Sequence, residues 1–381
     1  MDIFFAVNDA YAMQLTVAIV SVLENNKDGH IVFHVLSRDF STANKERLEK
    51  LRIRYHNFTM VYHAIDEKLF ADCNISIDYI TIETYFRYAI AELCPDLDKA
   101  LYLDADLVIN RSLQELYNCD IEGYYCAGVS DLYIQECVYK KTIGLSEMDA
   151  YVNAGVLLLN LRKMRENKIF GRLMKNTVDL ADQISYQDQD IINITFKGNI
   201  KTLDSIYNFT SHNVGAERYK RRKAAIIHYT GPDKPWNENC RHKMRKYWEK
   251  YYRISKELVN KKIKILVVDD VFESERDMVD LTNQLRLADI EVYLLSVKKD
   301  GILQIRRPGQ SVWIDVPKLW VLRWLFVRKE HIDVAILEVC DSSTVACDTD
   351  IMKCFSNYCE GGFEKDSPEI RVLKKTLWEV G

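Results

Sequence analysis

Two carboxylates spaced two residues apart, Asp104 and Asp106, are the residues best placed by type and position to do chemistry. They follow Ala100-Leu101-Tyr102-Leu103, an apolar run with the length and composition of a buried strand. A strand alternates its faces, so both carboxylates are expected on one side. Two hard oxygen donors at the carboxyl end of a strand suit a divalent cation. That end is also where open α/β sheets place their ligands. The pair alone has an ordinary alternative, since acids are common in loops after strands.

The elements that must position this pair can be read from apolar periodicity. Residues 3–7 are a strand candidate ended by the turn pair Asn8-Asp9. Leu15, Ala18, Ile19, Val22 and Leu23 repeat at helical spacing over residues 14–24. A strand at residues 31–36, a helix capped near Ser41 and a strand at residues 58–62 follow. Further strands are expected at 155–160 and 225–228, with a short helix over 188–196. This alternation predicts an α/β fold with a largely parallel sheet covered by helices.

The chain has 381 residues, about two and a half domains at roughly 150 residues each. Apolar residues make up 48% and charged residues 28%, which excludes disorder, collagen and coiled coil as the main state. With 52 basic and 56 acidic residues the net charge is −4, so no global field draws the chain to nucleic acid or membrane. No signal peptide is read in Met1-Asp2-Ile3-Phe4-Phe5, and no apolar run approaches a membrane span. The expectation is a cytoplasmic protein with reduced cysteines. Five Asn-x-Ser/Thr matches, Asn208 among them, then carry no glycosylation meaning. Cys340, Cys347, Cys354 and Cys359 lack the paired spacing of zinc sites.

Residues 240–262 are dense in Lys, Arg and His, with Tyr247, Trp248, Tyr251 and Tyr252 interleaved. They read as a basic, aromatic helix and linker. Two uses are open for residues 241–253: peripheral contact with an anionic membrane, or packing under the second domain. A new strand begins at 263–270, followed by an expected helix at 273–288, a strand at 290–296, a helix through 320–328 and a strand at 334–339. The expected domains are therefore 1–240, a linker at 241–262, and 263–381.

Six ordered stretches resemble glycosyltransferase family 8, the retaining nucleotide-sugar transferases of GT-A fold. They are Phe5-Ala6-Val7-Asn8-Asp9-Ala10-Tyr11, Thr84-Tyr85-Phe86-Arg87, Leu101-Tyr102-Leu103-Asp104-Ala105-Asp106, Asn153-Ala154-Gly155-Val156-Leu157-Leu158-Leu159-Asn160, Tyr186-Gln187-Asp188-Gln189-Asp190, and His228-Tyr229-Thr230-Gly231-Pro232-Asp233-Lys234-Pro235-Trp236. The similarity is greatest to bacterial galactosyl- and glucosyltransferases that build lipooligosaccharide and other surface glycans.

The resemblance implies a mixed, Rossmann-like GT-A sheet over about the first 250 residues. It implies a Mn²⁺ site, or Mg²⁺ in its place, made by Asp104, Asp106 and His228. For His228 the alternative is a core histidine satisfied by hydrogen bonds. The ion would meet the diphosphate of a UDP-sugar, with Lys234 as a further cation and Gly231 admitting close backbone approach. Ala6, Val7, Asn8 and Tyr11 match the nucleoside pocket. Asn8 stands where relatives often carry Asp, and Ala10 where many carry Asn, so that pocket loses polar groups. Ala105 lies between the two acids of the donor site. Arg87, Asp131, Asn153, Asp188 and Gln189 match positions around the donor sugar, with a structural ion pair as the alternative for Arg87.

Retention normally suggests a carboxylate nucleophile. The matching residue is Gln189, a poor nucleophile, so a front-side substitution with its amide oxygen stabilising positive charge is expected. Asp188 as a covalent nucleophile is the minority reading. A β-phosphate oxygen of UDP can take the acceptor proton on either route. The implied function is transfer of galactose or glucose from UDP to a carbohydrate or glycoconjugate acceptor. The alternatives are a catalytically silent nucleotide-sugar-binding module and a self-glucosylating protein. Residues 211–224 read as an acceptor loop or a solvated basic edge. In the second domain the acids Asp269-Asp270 superficially match a receiver domain, but Glu338 stands where a phosphoacceptor Asp would be needed. A looser resemblance is to the N-terminal half of a GT-B glycosyltransferase.

Overall fold

The protein is described from a computed structural model, throughout residues 1–73, 81–135 and 138–260 and, further on, for five strands. The chain forms two compact units, Met1–Asn260 and Lys261–Gly381.

The first unit opens with β1 (Asp2–Ala6), α1 (Ala12–Asn25), β2 (Ile31–Ser37), α2 (Thr42–Glu49) and β3 (Phe58–Ala64). On β1, Ile3 and Phe5 enter one core cluster and Phe4 the other, all at 0% exposure. A strand buried on both faces needs an unbroken apolar run, which is why β1 lacks alternation. The Ser41 side chain accepts from the N–H of Asn44 and starts α2. The expected β-α-β-α-β alternation is therefore present.

β4 (Lys99–Leu103), β5 (Leu107–Ile109), β6 (Cys126–Ser130), β7 (Val152–Asn160), α3 (Ile169–Asp179), α4 (Gln187–Thr195), β8 (Ile200–Leu203), β9 (Ile226–His228) and α5 (Arg245–Asn260) are the other strands and the longer α-helices of the unit. The main sheet has the order β3-β2-β1-β4-β7-β6-β8. Neighbours are parallel except for β7, which runs antiparallel to both β4 and β6. β5 and β9 leave the main sheet and pair with each other, Leu107 opposite His228. Strands β5, β6 and β8 and helix α3 were not expected from the sequence. β5 and β8 are too short to display a period, and the Cys-Ala-Gly-Val-Ser of β6 lacks β-branched enrichment.

Helix α5 lays its aromatic side on the first unit itself. Trp248, Tyr251, Leu258 and Val259 are buried, and Tyr251 Oη accepts from Asn25 Nδ2 of α1 at 2.8 Å. α1 has a second apolar face, and α5 covers it. Among the described residues no helix is long and apolar enough to cross a membrane.

In the second unit β10 (Ile263–Asp269), β11 (Ile290–Val297), β12 (Leu303–Arg306), β13 (Ile314–Val316) and β14 (Val334–Glu338) form one sheet of order β13-β12-β11-β10-β14. β10 is parallel to β11 and β14, as a Rossmann-like unit requires, and the antiparallel pair β12–β13 extends one edge. The expected helices at 273–288 and 320–328 and the four late cysteines lie outside the described residues.

Candidate active site

Asp104 and Asp106 converge for a different reason from the one expected. They do not lie on a strand: β4 ends at Leu103 and β5 begins at Leu107, so the acids occupy the bend where the chain leaves the main sheet. Strand alternation does not apply there. The bend is pinned by the Asp104 N–H to the Gly155 carbonyl at 2.8 Å and by Tyr229 N–H to the Asp106 carbonyl at 3.0 Å. The β5–β9 pairing then delivers His228 to the same point.

Asp104, Asp106 and His228 offer one ligand atom each within 4.8 Å of one another. His228 Nε2 lies 3.0 Å from Asp106 Oδ1 and 3.8 Å from Asp104 Oδ2. The other imidazole nitrogen settles the tautomer. Gly155 N–H donates to Asn153 Oδ1 at 3.1 Å, Asn208 Nδ2 donates to the same oxygen at 2.9 Å, and Asn208 therefore turns its own Oδ1 to His228 Nδ1 at 2.9 Å. Nδ1 carries a hydrogen, so Nε2 is the nitrogen turned to the two carboxylates: with a proton it bonds to Asp106, and without one its lone pair can join them on a cation.

Gly155 makes room for that cation. A Cβ placed on it would stand 2.3 Å from His228 Cε1 and 2.5 Å from Asp104 Oδ2. Hard oxygens, an imidazole and a cradle without a side chain fit a divalent ion such as Mn²⁺. Among the described residues a second group, His34, His63 and Cys94, also has the donor types. There the two imidazole nitrogens are 3.0 Å apart and the ring centroids 5.3 Å, so the nitrogens lie along the line joining the rings. That is an N–H···N hydrogen bond rather than convergence on an ion.

Lys234 Nζ donates to Asp106 Oδ2 at 2.5 Å and to the Tyr229 carbonyl at 2.8 Å. Burial pushes the Asp106 carboxyl up, but Lys234 and His228 outweigh it and hold it well below the usual range. Gly231 has φ of 81°, a conformation that favours glycine. Arg87 is buried beneath the site. Its Nη1 donates to the Ala154 carbonyl at 2.5 Å, its Nη2 to Asp104 Oδ1 at 3.2 Å, and its plane lies 4.3 Å over Tyr102. It also pairs with Asp188 Oδ2 at 3.1 Å, at an angle outside hydrogen-bond geometry because its Nε–H points to the Thr84 carbonyl at 2.8 Å. The structural ion pair held open for Arg87 is thus present, and the residue faces the cleft as well.

Asp188 accepts from Thr84 Oγ1 at 2.7 Å. Burial raises its carboxyl to about 6, against the opposing pull of Arg87 and Thr84. Gln189 has all its polar atoms engaged: Oε1 accepts from Asn153 Nδ2 at 3.0 Å and Ala154 N–H at 3.1 Å, while Nε2 donates to Asp131 Oδ2 at 3.2 Å and Tyr151 Oη at 3.3 Å. Asn8 Oδ1 accepts from Tyr11 N–H at 3.2 Å, so it also caps the turn that follows β1. Tyr11 stands edge-on to Trp236 at 6.0 Å.

One cleft of ≈ 580 Å³ gathers these residues. It is lined by every candidate site residue named from the sequence, Ala6, Asn8 and Tyr11 as well as Asp131, Asn153 and Gln189, with Ala105 between the two acids in the chain. Sequence reasoning missed Gly155, Asn208, Tyr102, Thr84, Tyr151 and Asp190 as contributors. Tyr102, Thr84, Gly155 and Asp190 stood inside the six stretches, whereas Asn208 carried no signal beyond its glycosylation-like triplet. The basic stretch 211–224 contributes Ser211 and His212 to the lining. Its Lys220 pairs with Asp204 and Glu217, and Arg222 and Lys223 are exposed.

A mixed sheet with an acid pair at the bend after β4 defines a GT-A glycosyltransferase, and the comparisons agree. The family description "Glycosyl transferase family 8" matches residues 2–240. A putative glycosyltransferase of Haemophilus influenzae is 35% identical over 249 residues, 64% of this chain and 74% of that protein. A lipopolysaccharide 1,2-glucosyltransferase of Escherichia coli is 28% identical, over 67% of this chain and 78% of that one. The solved galactosyltransferase LgtC, in complex with donor and acceptor sugar analogues, is 33% identical with a TM-score of 0.61, covering 67% of this chain and 96% of that one. The chain belongs to glycosyltransferase family 8 and is an enzyme.

Proposed function

We propose that this enzyme transfers a hexose, galactose or glucose, from a UDP-sugar to a carbohydrate acceptor of the lipopolysaccharide type, with retention of configuration. The observation that carries this reading is the convergence of Asp104, Asp106 and His228 around the cradle at Gly155. Those three residues would hold Mn²⁺, which when bound neutralises charge on the departing diphosphate. Lys234 adds a fixed cation beside them, and the turn at Gly231 lets backbone N–H groups approach a phosphate. Ala6, Asn8 and Tyr11 line the nucleoside end of the cleft. Asp131, Asn153 and Asp188 meet sugar hydroxyls, and Arg87 holds Asp188 and Asp104 at a fixed spacing.

Asp188 is a poor candidate for the nucleophile, since Thr84 Oγ1 holds one oxygen and the Arg87 guanidinium charge lies 3.1 Å from the other. This supports front-side substitution, with the Gln189 amide oxygen facing the positive charge of an oxocarbenium-like sugar. A glycosyl adduct on Asp188 found by mass spectrometry would reverse that preference. The direct test measures UDP release from UDP-galactose and UDP-glucose with and without Mn²⁺. Turnover is expected to need the ion and to fall by at least about 100-fold in Asp106→Asn, the scale of losing one electrostatic stabiliser. Metal-independent turnover unchanged in that variant would sink the reading.

The lipid-linked acceptor of such a reaction lies at the cytoplasmic membrane face. With Trp248 and Tyr251 buried and Tyr247 and Tyr252 half-buried, α5 would meet that face chiefly through charge, from the exposed Lys246, Lys250, Arg253 and Lys256. Flotation with anionic liposomes is expected at low salt and to be lost when these four are changed to Glu.

A further inference from the structure

The reading of Gln189 given above requires one orientation of a group that has two. An amide turned by half a rotation would present N–H groups, which repel positive charge, where the oxygen should be. A carboxylate two bonds removed from the cleft fixes the choice. Asp190 is 0% exposed on α4. Its Oδ2 accepts from Ser185 N–H at 3.0 Å, Tyr186 N–H at 2.7 Å and Tyr139 Oη at 2.5 Å, and its Oδ1 from Tyr151 Oη at 2.6 Å. A carboxylate only accepts, so the single hydroxyl hydrogen of Tyr151 is committed to it. Burial and the nearby Asp190 charge also push Tyr151 ionisation well above its ordinary value, so the hydrogen stays in place. Toward Gln189 Nε2, 3.3 Å away, Tyr151 can present only a lone pair.

We propose that Asp190 is a positioning residue that, through Tyr151, holds the Gln189 amide with its nitrogen inward and its oxygen on the Asn153–Ala154 side of the cleft. Asp131 Oδ2 and the Ala154 N–H require the same orientation, so all four contacts agree. Asp190 does not reach the reacting atoms. It acts by deciding which way the hydroxyl of Tyr151 points, and it tethers the turn carrying Tyr186 at the same time.

The test is a double-mutant cycle in the full chain, reading steady-state UDP release from whichever of UDP-galactose and UDP-glucose is turned over with Mn²⁺. In Asp190→Asn the three donors near Oδ2 keep an oxygen there, so the new NH₂ faces Tyr151. Tyr151 then turns its hydrogen toward Gln189 and opposes the native amide. The expected result is a kcat about tenfold lower with the donor KM unchanged, the scale of one misplaced hydrogen bond. In a Gln189→Ala background the same change should cost nothing more. Tyr151→Phe, which keeps the ring and the packing, should give a smaller kcat loss with the same dependence on Gln189. Equal losses in both backgrounds, or a loss carried by KM, would assign Asp190 a merely structural role and overturn the proposal. Full turnover in Gln189→Ala alone would instead remove the role given to Gln189, and the proposal with it.

Discussion

At the scale of single residues, the site depends on an absent side chain as much as on those present. Gly155 leaves the space between Asp104 and His228, and any Cβ there collides with both. Gly155→Ala should therefore weaken Mn²⁺ binding by at least about tenfold, since donor atoms must leave their positions within a tightly packed site. Titration calorimetry measures this without recourse to activity. The contrast with Gly231→Ala is instructive. There nothing lies within 4 Å of the new Cβ, and the cost comes only from a φ of 81°, so stability falls by about 1 kcal/mol while metal affinity holds. Asp104, Asp106 and His228 were legible because a family pattern marks them. Asn208, which sets the histidine tautomer, was not, because its effect depends on meeting Asn153, 55 positions away in the chain.

At the scale of elements, length favoured a correct reading without guaranteeing it, since α3 spans 11 residues and was still missed. α1 announced itself by period, β1, β2 and β3 as apolar or β-prone runs, and α2 by its Ser41 cap. β5 did not, since a three-residue strand has no period to detect, whereas β9 was read at 225–228; their pairing brings His228 to the acids. Helix α5 was visible as a helix, but its partner was not, because amphipathicity says that a face is covered and not by what. Its Trp248 is 5% exposed and stacks on Tyr252 at 4.7 Å. Trp248→Ala should cost about 3–5 kcal/mol of unfolding free energy, measured by urea denaturation.

The edge of the sheet carries a separate prediction. On β2 and β3, His34 and His63 share a hydrogen bond, with Asp2 3.3 Å from the far side of His34 and Cys94 nearby. Burial, then the neighbouring His34, lowers the His63 pKa. The unfolded chain therefore binds that proton first, and the stabilisation is present above the ordinary imidazole value of about 6.5 and lost as pH falls below it. The urea midpoint should drop between pH 7 and pH 5.5, and His63→Gln should flatten that drop.

At the scale of the whole molecule, two compact units follow one another, and every candidate site residue belongs to the first. A chain ending at Asn260 should unfold cooperatively and retain donor turnover within about threefold of the full chain, because α5 completes the core and no residue of the cleft is removed. The second unit was legible as strands around β10, while β12 and β13 turn back on themselves in a way that no parallel alternation foretells.

The bend between β4 and β5 has a consequence for how the first unit holds together. Asp106 and His228 are separated by 122 positions, so an ion gripped by both behaves as a removable cross-link closing a very long loop. Unfolding then requires release of the ion, and saturating Mn²⁺ at about 100 times its dissociation constant should add about 2.7 kcal/mol of stability. The enzyme would thus be hardest to unfold when it is ready to work, and a chelator would lower its melting point before any substrate is present.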